Sequence, residues 1–248
     1  MQRFLAILAL SWSVAFSRGD SSTPTISSNI GDRDQAGLEL ARKVRSMAPQ
    51  ENARARGVLK IRDRERKTVE VPVNFQVLAG GQTWQVAYEA KHGAQTEKLI
   101  ILEGVNRPNE YLHTKPGASE PVKLPGSQAM ISFAGSDFSL ADLGLEFIHW
   151  PIQRLLKTEM RKSVWCYKLE SINPNPPPGS YAKVVSWLEK ESGGPVLAEA
   201  YDGNGNKIKD FSINSIKKVE GQFQLKEMEI STLRNGSRTR LEFELENK

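Results

Sequence analysis

Few residues in this chain have the types and spacing needed for catalysis or metal binding. The three histidines, His92, His113 and His149, lie far apart and share no spacing typical of metal ligands. The single cysteine, Cys166, lies in an apolar run at residues 164–167, which predicts a buried thiol and not a nucleophile. No nucleophile elbow, P-loop, dinucleotide fingerprint or zinc-protease motif follows a predicted strand. We therefore expect a protein that is not an enzyme and that uses no cofactor and no metal ion.

Two loops resemble binding or modification motifs. Residues 202–206 begin like a calcium loop, but such a loop needs glycine at its sixth position and glutamate at its twelfth, where this chain has Lys207 and Ile213. Residues 235–237 match a glycosylation sequon, yet Asn235-Gly236 is also a strong hairpin signal. We interpret both loops as hairpin turns.

The composition is that of a folded globular protein. Of the 248 residues, 39% are apolar and 25% are charged, which excludes a disordered chain, a collagen-like chain and a protein with several membrane spans. One cysteine excludes an intramolecular disulfide framework and a cysteine-based zinc site. The formal net charge of +5 is too small an excess to indicate nucleic acid, so no nucleic-acid partner is expected.

The N-terminus has the features of a secretory signal peptide. Arg3 supplies a positive charge, and residues 4–16 form an apolar run that is shorter than the roughly 20 residues of a membrane span. We predict cleavage after Ser17, so that residues 1–17 are removed; a buried N-terminal helix is the alternative. Residues 18–32 are mostly small and polar, which predicts a flexible leader before a single domain at residues 33–248.

Two segments have helical character. Asp34 is a suitable N-cap for a helix of about a dozen residues, in which apolar side chains recur at helical spacing before Pro49: Leu38, Leu40, Ala41, Val44 and Met47. Residues 139–150 are apolar without a clear period, and they fit either a short helix or a loop.

Most of the remaining chain alternates between apolar and polar residues, as half-buried strands do. Strands are predicted at residues 71–79, 84–88, 99–102, 164–169, 181–188, 196–201, 208–213, 223–233 and 239–245. Clusters of glycine, proline and asparagine separate them, which is typical of hairpin turns. The apolar phase slips between Leu225 and Met228, which predicts a β-bulge.

About ten short antiparallel strands with few helices predict a mainly β protein. A single sheet of this size must cover its apolar face, so we expect a strongly curved sheet or an unclosed antiparallel β-barrel, with a few helices as a lid. Either arrangement encloses an apolar cavity, which would bind acyl chains. The aromatic candidates to line that cavity are Phe75, Trp84, Tyr88, Phe138, Phe147, Trp150, Trp165, Tyr181 and Trp187. Ordinary core packing is the alternative role for each of them.

Basic residues cluster between residues 54 and 67. Four of them fall on one side of an extended segment: Lys60, Arg62, Arg64 and Arg66. A solvated outer face, interrupted by Asp63 and Glu65, explains this pattern. The alternative is a docking surface for anionic lipid head groups or for an acidic partner.

Several sequence blocks, in a fixed order, resemble one protein family. The blocks are Gly-Ser-Asp-Phe-Ser-Leu-Ala-Asp-Leu at residues 135–143, then residues 166–169, 181–188 and 198–202 with Gly205 and Lys207, and finally residues 228–230 with Gly236 and Thr239. Together they resemble the outer-membrane lipoprotein-sorting protein family, the LolA-like proteins. The resemblance extends from about Gly57 to Leu245.

The resemblance implies a LolA/LolB-like unclosed barrel with a helical lid. It also implies a periplasmic carrier that holds acyl chains of lipoproteins or other lipids and passes them from a membrane-bound donor towards an outer-membrane receptor, as a monomer. An envelope sensor that binds lipid or mislocalised lipoprotein on the same scaffold is the alternative. Within the blocks, we expect Asp137 to cap a helix that begins near Ser139.

Overall fold

The computed structural model describes residues 29–105, 107–219 and 222–245. The predicted signal peptide and residues 18–28 of the predicted leader lie outside these residues. Within them, thirteen strands and two α-helices form a mainly β structure, as the strand pattern predicted. The helices of the described residues are too short or too polar to cross a membrane.

The described chain begins with α1 (Ile30–Arg45), which is followed by six strands, a connection with short helices, and seven further strands. The first strands are β1 Ala53–Arg62, β2 Thr68–Leu78, β3 Thr83–His92, β4 Gln95–Gly104, β5 Glu110–Thr114 and β6 Val122–Leu124. The connection between β6 and β7 contains 3₁₀ helices at Gly126–Gln128 and Glu146–His149, with α2 (Leu140–Leu143) between them. The remaining strands are β7 Ile152–Arg161, β8 Val164–Ile172, β9 Lys183–Glu189, β10 Pro195–Tyr201, β11 Lys207–Val219, β12 Gln222–Thr232 and β13 Ser237–Phe243.

All thirteen strands belong to one antiparallel sheet. Their order is β6-β5-β4-β3-β2-β1-β13-β12-β11-β10-β9-β8-β7. Neighbours along the sequence pair with each other, except β6 and β7, and β1 also pairs with β13, which joins the two halves of the chain. Because β6 and β7 lie at opposite edges and do not pair with each other, the sheet is not closed into a barrel. The predicted fold class is therefore confirmed.

Strand β2 shows how the alternating pattern produces a buried face. Val71, Val73, Phe75 and Val77 are all buried, whereas the residues between them are half-buried or exposed. Successive side chains of a strand point to opposite faces of the sheet, so one face is apolar over its whole length. This face and its counterparts on neighbouring strands form the largest apolar cluster of the structure.

The predicted β-bulge is present in the β11–β12 hairpin. Ser215 pairs with Glu227, whereas the next residue, Ile216, pairs with Leu225, so Lys226 is the extra residue in β12. A bulge shifts the alternation by one residue, which explains the slipped apolar phase between Leu225 and Met228.

Helix α1 begins earlier than predicted. Its N-cap is Asn29, whose side chain accepts a hydrogen bond of 3.0 Å from the Gly31 N–H, and residues 30–32 of the predicted leader already belong to the helix. The prediction that Asp34 caps the helix is wrong, because the Asp34 carboxylate accepts a bond of 2.6 Å from Arg154 Nε on β7. The first helical turn contains few apolar residues, so apolar spacing did not detect it.

The apolar stretch at residues 139–150 combines both predicted alternatives, since α2 is one helical turn and a 3₁₀ turn follows it. The prediction that Asp137 caps α2 is wrong. The N-cap is Ser139, which forms a capping box with Asp142: Asp142 N–H donates to Ser139 Oγ at 3.1 Å, and Ser139 N–H donates to Asp142 Oδ2 at 2.8 Å. The Asp137 carboxylate bonds to β13 instead.

Helix α1 approaches β7 most closely at Gly37, where a Cβ would overlap the backbone carbonyl of Gln153. We expect Gly37→Ala to destabilise the protein by about 1–3 kcal/mol, because backbone atoms on β7 can yield only by moving the helix. Gly31→Ala is the matched control, since a Cβ there meets nothing nearer than Asn29 Oδ1 at 3.5 Å and alanine favours the helix. Urea denaturation of both variants measures the difference, and equal stability would contradict tight docking at Gly37.

Candidate functional site

One cavity lies between the apolar face of the sheet and the elements that cover it, and we call it the main cavity because of this position. A wider pocket of about 210 Å³ lies elsewhere, beside the β7–β8 turn and β11, and Lys162, Glu189 and Ile216 are among its lining residues. The volume of the main cavity is about 130 Å³. The sheet wall comes from β2, β3 and β4, and the opposite wall comes from the end of α1, the chain after it and residues 138–149. Most of the lining is apolar, including Val77, Val86, Leu143, Phe211 and Met228.

A minor cavity of about 40 Å³ adjoins the main cavity. It lies against the strands of the C-terminal half and is lined by Phe147, Tyr181, Val184 and Ala200 among others. Four residues line both cavities and so form the partition between them: Phe138, Asp142, Leu145 and Phe211. Movement of the Phe138 and Leu145 side chains would therefore connect the two spaces.

Most of the predicted aromatic lining residues face these cavities. Phe75, Trp84, Tyr88 and Phe138 line the main cavity, and Phe138, Phe147 and Tyr181 line the minor one. The structure thus places six of the nine predicted side chains around two adjoining cavities.

Three predicted residues line neither cavity. Trp150 is half-buried against the apolar cluster beside α1. Trp187 packs on the other face of β9, where its Nε1 donates to Glu159 at 2.6 Å and Lys168 Nζ lies 4.6 Å from the ring centroid. Trp165 is 53% exposed near the end of the β7–β8 hairpin, which neither α1 nor residues 138–149 cover. Their positions correct the expectation that these three side chains line the cavity.

The histidine and cysteine side chains that we considered as catalytic or metal-binding residues are explained by packing and hydrogen bonding. The buried His113 bonds to Glu97 with an Nε2 to Oε1 distance of 2.8 Å. Burial raises the pKa of the Cys166 thiol to about 11, which agrees with the prediction of an inert, buried cysteine. Within the described ranges, no group of histidine, cysteine and acidic side chains is arranged to hold a metal ion.

The basic cluster does not form one continuous surface. Lys60 lies in β1 and is paired with Glu242 at 2.9 Å, whereas Arg64 and Arg66 lie in the turn before β2 and not on a strand. These placements agree with a solvated outer face.

Polar contacts attach the covering segment, defined as residues 137–149, to the sheet. At its first end, Lys209 on β11 donates to the Asp137 carbonyl at 2.6 Å and to Asp142 Oδ2 at 3.0 Å. Tyr181 donates to the same Asp142 carboxylate at 3.0 Å, and Thr239 Oγ1 donates to Asp137 Oδ2 at 2.8 Å. We call these five residues the polar clamp. All five are buried or partly buried, so the clamp holds the segment in a single position.

A second set of bonds holds the other half of the covering segment. Asn109 Nδ2 donates to the Gly144 carbonyl at 2.7 Å, and Tyr111 donates to Glu146 Oε2 at 2.7 Å. Burial raises the pKa of Glu146 and of Tyr111, so the neutral forms are favoured in this apolar setting. The covering segment is therefore anchored on both sides of the cavity.

Three ionisable side chains line the main cavity without a partner of opposite charge among the described residues. Glu103 accepts a bond of 2.6 Å from Trp84 Nε1, and burial raises its pKa to about 7. Arg45 donates to the Ile148 carbonyl at 2.6 Å, and burial lowers its pKa. Burial and the nearby Arg45 charge lower the pKa of His149 to about 4, so this imidazole is neutral at pH 7.

Sequence reasoning identified the aromatic lining but missed Glu103 and the polar clamp. The signal for Glu103 is the alternation of β4, where Leu99 and Ile101 are fully buried and Glu103 is the next residue on the same face. The clamp joins residues about 40 to 100 positions apart, for which the sequence has no local signal.

Comparisons with known proteins agree with this architecture. A family model described as "Uncharacterized protein" matches residues 85–246, which is more than half of the chain. A crystal structure of a DUF1329 family protein from Desulfovibrio piger ATCC 29098 is 19% identical, with a TM-score of 0.67, over 86% of this chain and 91% of that one. No curated protein matches the chain in sequence.

Two further crystal structures have a similar fold. A putative outer membrane lipoprotein-sorting protein domain from Vibrio parahaemolyticus is 19% identical, with a TM-score of 0.68, over 86% of this chain and 92% of that one. A LolA superfamily protein from Nitrosomonas europaea is 19% identical, with a TM-score of 0.55, over 87% of this chain and 94% of that one. These likenesses show a common fold.

Proposed function

Because this chain belongs to the uncharacterised family of the matching model and has the LolA-like fold, we propose that it is a periplasmic carrier of acyl chains. In this proposal the main cavity holds the acyl chains of a lipoprotein or another lipid, and the protein delivers this cargo towards the outer membrane. The observation that carries the proposal is an unfilled apolar cavity beneath a covering layer of helix and loop. The predicted signal peptide supports export.

The size of the cavity limits what the described conformation can hold. Its volume of about 130 Å³ is close to the roughly 150 Å³ of an apolar cavity that accommodates one benzene molecule. Pockets for larger ligands measure about 300–1,000 Å³. A long acyl chain therefore needs a rearrangement that enlarges the main cavity and joins it to the minor one.

Helix α1 is attached to the rest of the structure by close packing at Gly37 and by polar contacts of Asp34 and Arg45. Its ion pair from Asp34 to Arg154 is partly exposed, with side chains 36% and 28% exposed, and such pairs contribute about 1 kcal/mol or less. Its C-terminal end is held by the bond from Arg45 to the Ile148 carbonyl. The covering segment, in contrast, is fixed by the polar clamp. We infer that α1 swings away to admit cargo while the covering segment stays in place.

Such a carrier also needs a means of release. Each CH₂ group that enters the cavity contributes about 0.8 kcal/mol, so a long chain would bind tightly to a preformed cavity. The closing of α1 competes with the chain for the same space, which lowers the net affinity. A receptor that binds the chain more tightly then completes the transfer.

Filling the main cavity should abolish chain binding. Val86 lies on the inward face of β3 and is half-buried beside the cavity. We expect Val86→Trp to lower the affinity for a fluorescent fatty acid at least about tenfold, because the indole occupies the space that the chain needs. Fluorescence titration of the purified protein measures this change.

Ala87→Trp is the matched control, because residue 87 is the next position on β3 and points to the opposite face. Its affinity should equal that of the unmodified protein. Both variants need a check of stability by urea denaturation, since an added ring costs about 1–3 kcal/mol where it is not accommodated. Equal binding by a folded Val86→Trp variant would contradict the cavity as the site.

A test in cells separates delivery from sensing. Deletion of the gene should leave lipoproteins in the inner membrane if the protein is a carrier. An altered envelope stress response with normal lipoprotein sorting would favour the sensor alternative. Mass spectrometry of protein purified from the periplasm should also detect bound lipid or lipoprotein, and its absence would count against both roles.

A further inference from the structure

Glu103 occupies an unusual position for a carboxyl group. Leu99, Ile101 and Glu103 share the inward face of β4, and the first two are fully buried. Glu103 lies directly opposite Trp84 on β3, and both line the main cavity. The sheet wall of an apolar cavity thus contains one acidic side chain.

The carboxyl group has one oxygen available to a ligand. Trp84 Nε1 donates to Oε2 at 2.6 Å. Among residues 29–105, 107–219 and 222–245, no donor contacts Oε1 and no cation pairs with Glu103. Glu103 is half-buried, so a ligand that shields Oε1 from water has to supply a hydrogen-bond donor in its place, because an unsatisfied polar atom in an apolar site costs free energy.

Among the described residues, none of the other ionisable groups around the cavity donates a hydrogen bond to Glu103 Oε1. Tyr88 on β3 and Tyr111 on β5 keep their protons, because burial and the Glu103 charge raise the pKa of each phenol. The covering segment adds Glu146, which is bonded to Tyr111. The basic groups, Arg45 and the neutral His149, belong to the opposite wall, where Arg45 is bonded to the Ile148 carbonyl.

We propose that Glu103 determines which head group enters the cavity, by accepting a hydrogen bond from an uncharged hydroxyl or amide donor beside the acyl chain. The cavity then prefers a chain that ends in such a donor over the same chain that ends in a carboxylate. A carboxylate offers no proton to Oε1 and places a like charge beside an acidic side chain, which disfavours binding. This inference rests on the proposed function, since it assumes that a chain occupies the cavity.

Competition between two probes of equal chain length tests the proposal. The probes are 1-dodecanol and dodecanoate, each used to displace a fluorescent naphthylamine from the purified protein at about pH 8.5. We expect dodecanol to bind at least about tenfold more tightly than dodecanoate. Glu103→Gln keeps an oxygen acceptor but removes the charge, so it should strengthen dodecanoate binding about tenfold and change dodecanol binding less than about twofold.

Glu89→Gln is the matched control, because Glu89 lies on the opposite face of β3 and pairs with Lys98 on the outside of the sheet. It should leave both affinities unchanged. Lowering the pH to about 5.5 should reduce the preference for dodecanol in the unmodified protein, since Glu103 gains a proton. Dodecanoate itself also gains protons as the pH falls, and this change is the same with every variant. The difference in pH dependence between the unmodified protein and Glu103→Gln therefore measures the effect of Glu103.

The outcomes separate this inference from the proposed function. If neither probe displaces the naphthylamine, the cavity does not bind chains and the proposed function fails. If both bind and Glu103→Gln leaves their ratio unchanged, the head group does not meet Glu103 and the inference is overturned. If dodecanoate binds more tightly than dodecanol and Arg45→Gln removes this preference, the head group lies at the α1 wall. This result also overturns the inference.

Discussion

Replacing Lys209 with methionine is expected to destabilise the protein by about 3–5 kcal/mol, since breaking a buried ion pair leaves an uncompensated charge. The Lys209 and Asp142 side chains are only 16% and 14% exposed, and Lys209 also bonds to the Asp137 carbonyl. Methionine keeps the length and the apolar stem of lysine but removes the charge and the donors. Urea denaturation followed by tryptophan fluorescence measures the loss.

Lys207→Met provides the control for this experiment. Lys207 lies two residues earlier on the same strand, and its side chain is 36% exposed beside Glu199 and Asp210. Exposed pairs of this kind contribute about 1 kcal/mol or less, so this variant should remain close to the unmodified protein. Equal effects at the two positions would show that the polar clamp does not hold the covering segment.

The gain in stability from Glu103→Gln should grow as the pH rises. The pKa of the Glu103 carboxyl is raised by burial from 4.5 to about 7 in the folded protein. The folded state therefore holds a proton on Glu103 that the unfolded state has lost, so the contribution of Glu103 to stability declines between about pH 4.5 and pH 7 and then levels off. His149, whose pKa is lowered to about 4, makes the opposite contribution below about pH 6.5, and comparison with Glu103→Gln isolates the contribution of Glu103. A shift of this size corresponds to roughly 3 kcal/mol above pH 7.

The measurement is the free energy of unfolding in urea at several pH values. Glu103→Gln should match the unmodified protein near pH 4 and exceed its stability by roughly 3 kcal/mol near pH 8.5. Glu89→Gln should follow the unmodified protein at every pH, because its carboxylate lies outside and is paired with Lys98. Parallel curves for the Glu103 variant and the unmodified protein would show that this carboxyl is not in an apolar setting.

The two experiments concern different parts of the proposed carrier. The Lys209 experiment tests the polar clamp, which holds the part of the cover that stays in place. Loss of the clamp should release the covering segment from the sheet. The Glu103 experiment tests the cavity wall that the cargo contacts. A carrier needs both properties, because a cavity that collapses without its cover cannot hold a chain, and a cavity with no polar group cannot select a head group.

Strand identity was predictable wherever alternation was strong and local. In β2 every second residue from Val69 to Val77 is apolar, and in β13 Leu241 and Phe243 alternate with charged residues; both strands form where the pattern indicated. The bulge near Lys226 was predictable for the same reason. The strand expected around Lys60 and Arg62 is the end of β1, which extends from Ala53 to Arg62. Strands β5, β6 and β7 were not predicted, because β5 and β6 are short and β7 mixes apolar and charged residues without a regular period.

The aromatic residues show the limit of such predictions. Alternation tells which face of a strand a side chain occupies, but not whether another element covers that part of the face. Phe75 and Tyr88 lie beneath the cover and line the main cavity. Trp165 is on a strand of the same sheet and is exposed, because α1 and the covering segment do not reach the end of the β7–β8 hairpin.

The amino-acid sequence by itself determined the mainly β class, the hairpins and the apolar face, because hydrophobic period and turn chemistry act between near neighbours in the chain. Only the tertiary structure decided the extent of the cover and the polar clamp. Those features depend on contacts between distant segments. The pairing of β1 with β13 and the docking of α1 on β7 create them, and no local pattern records such contacts.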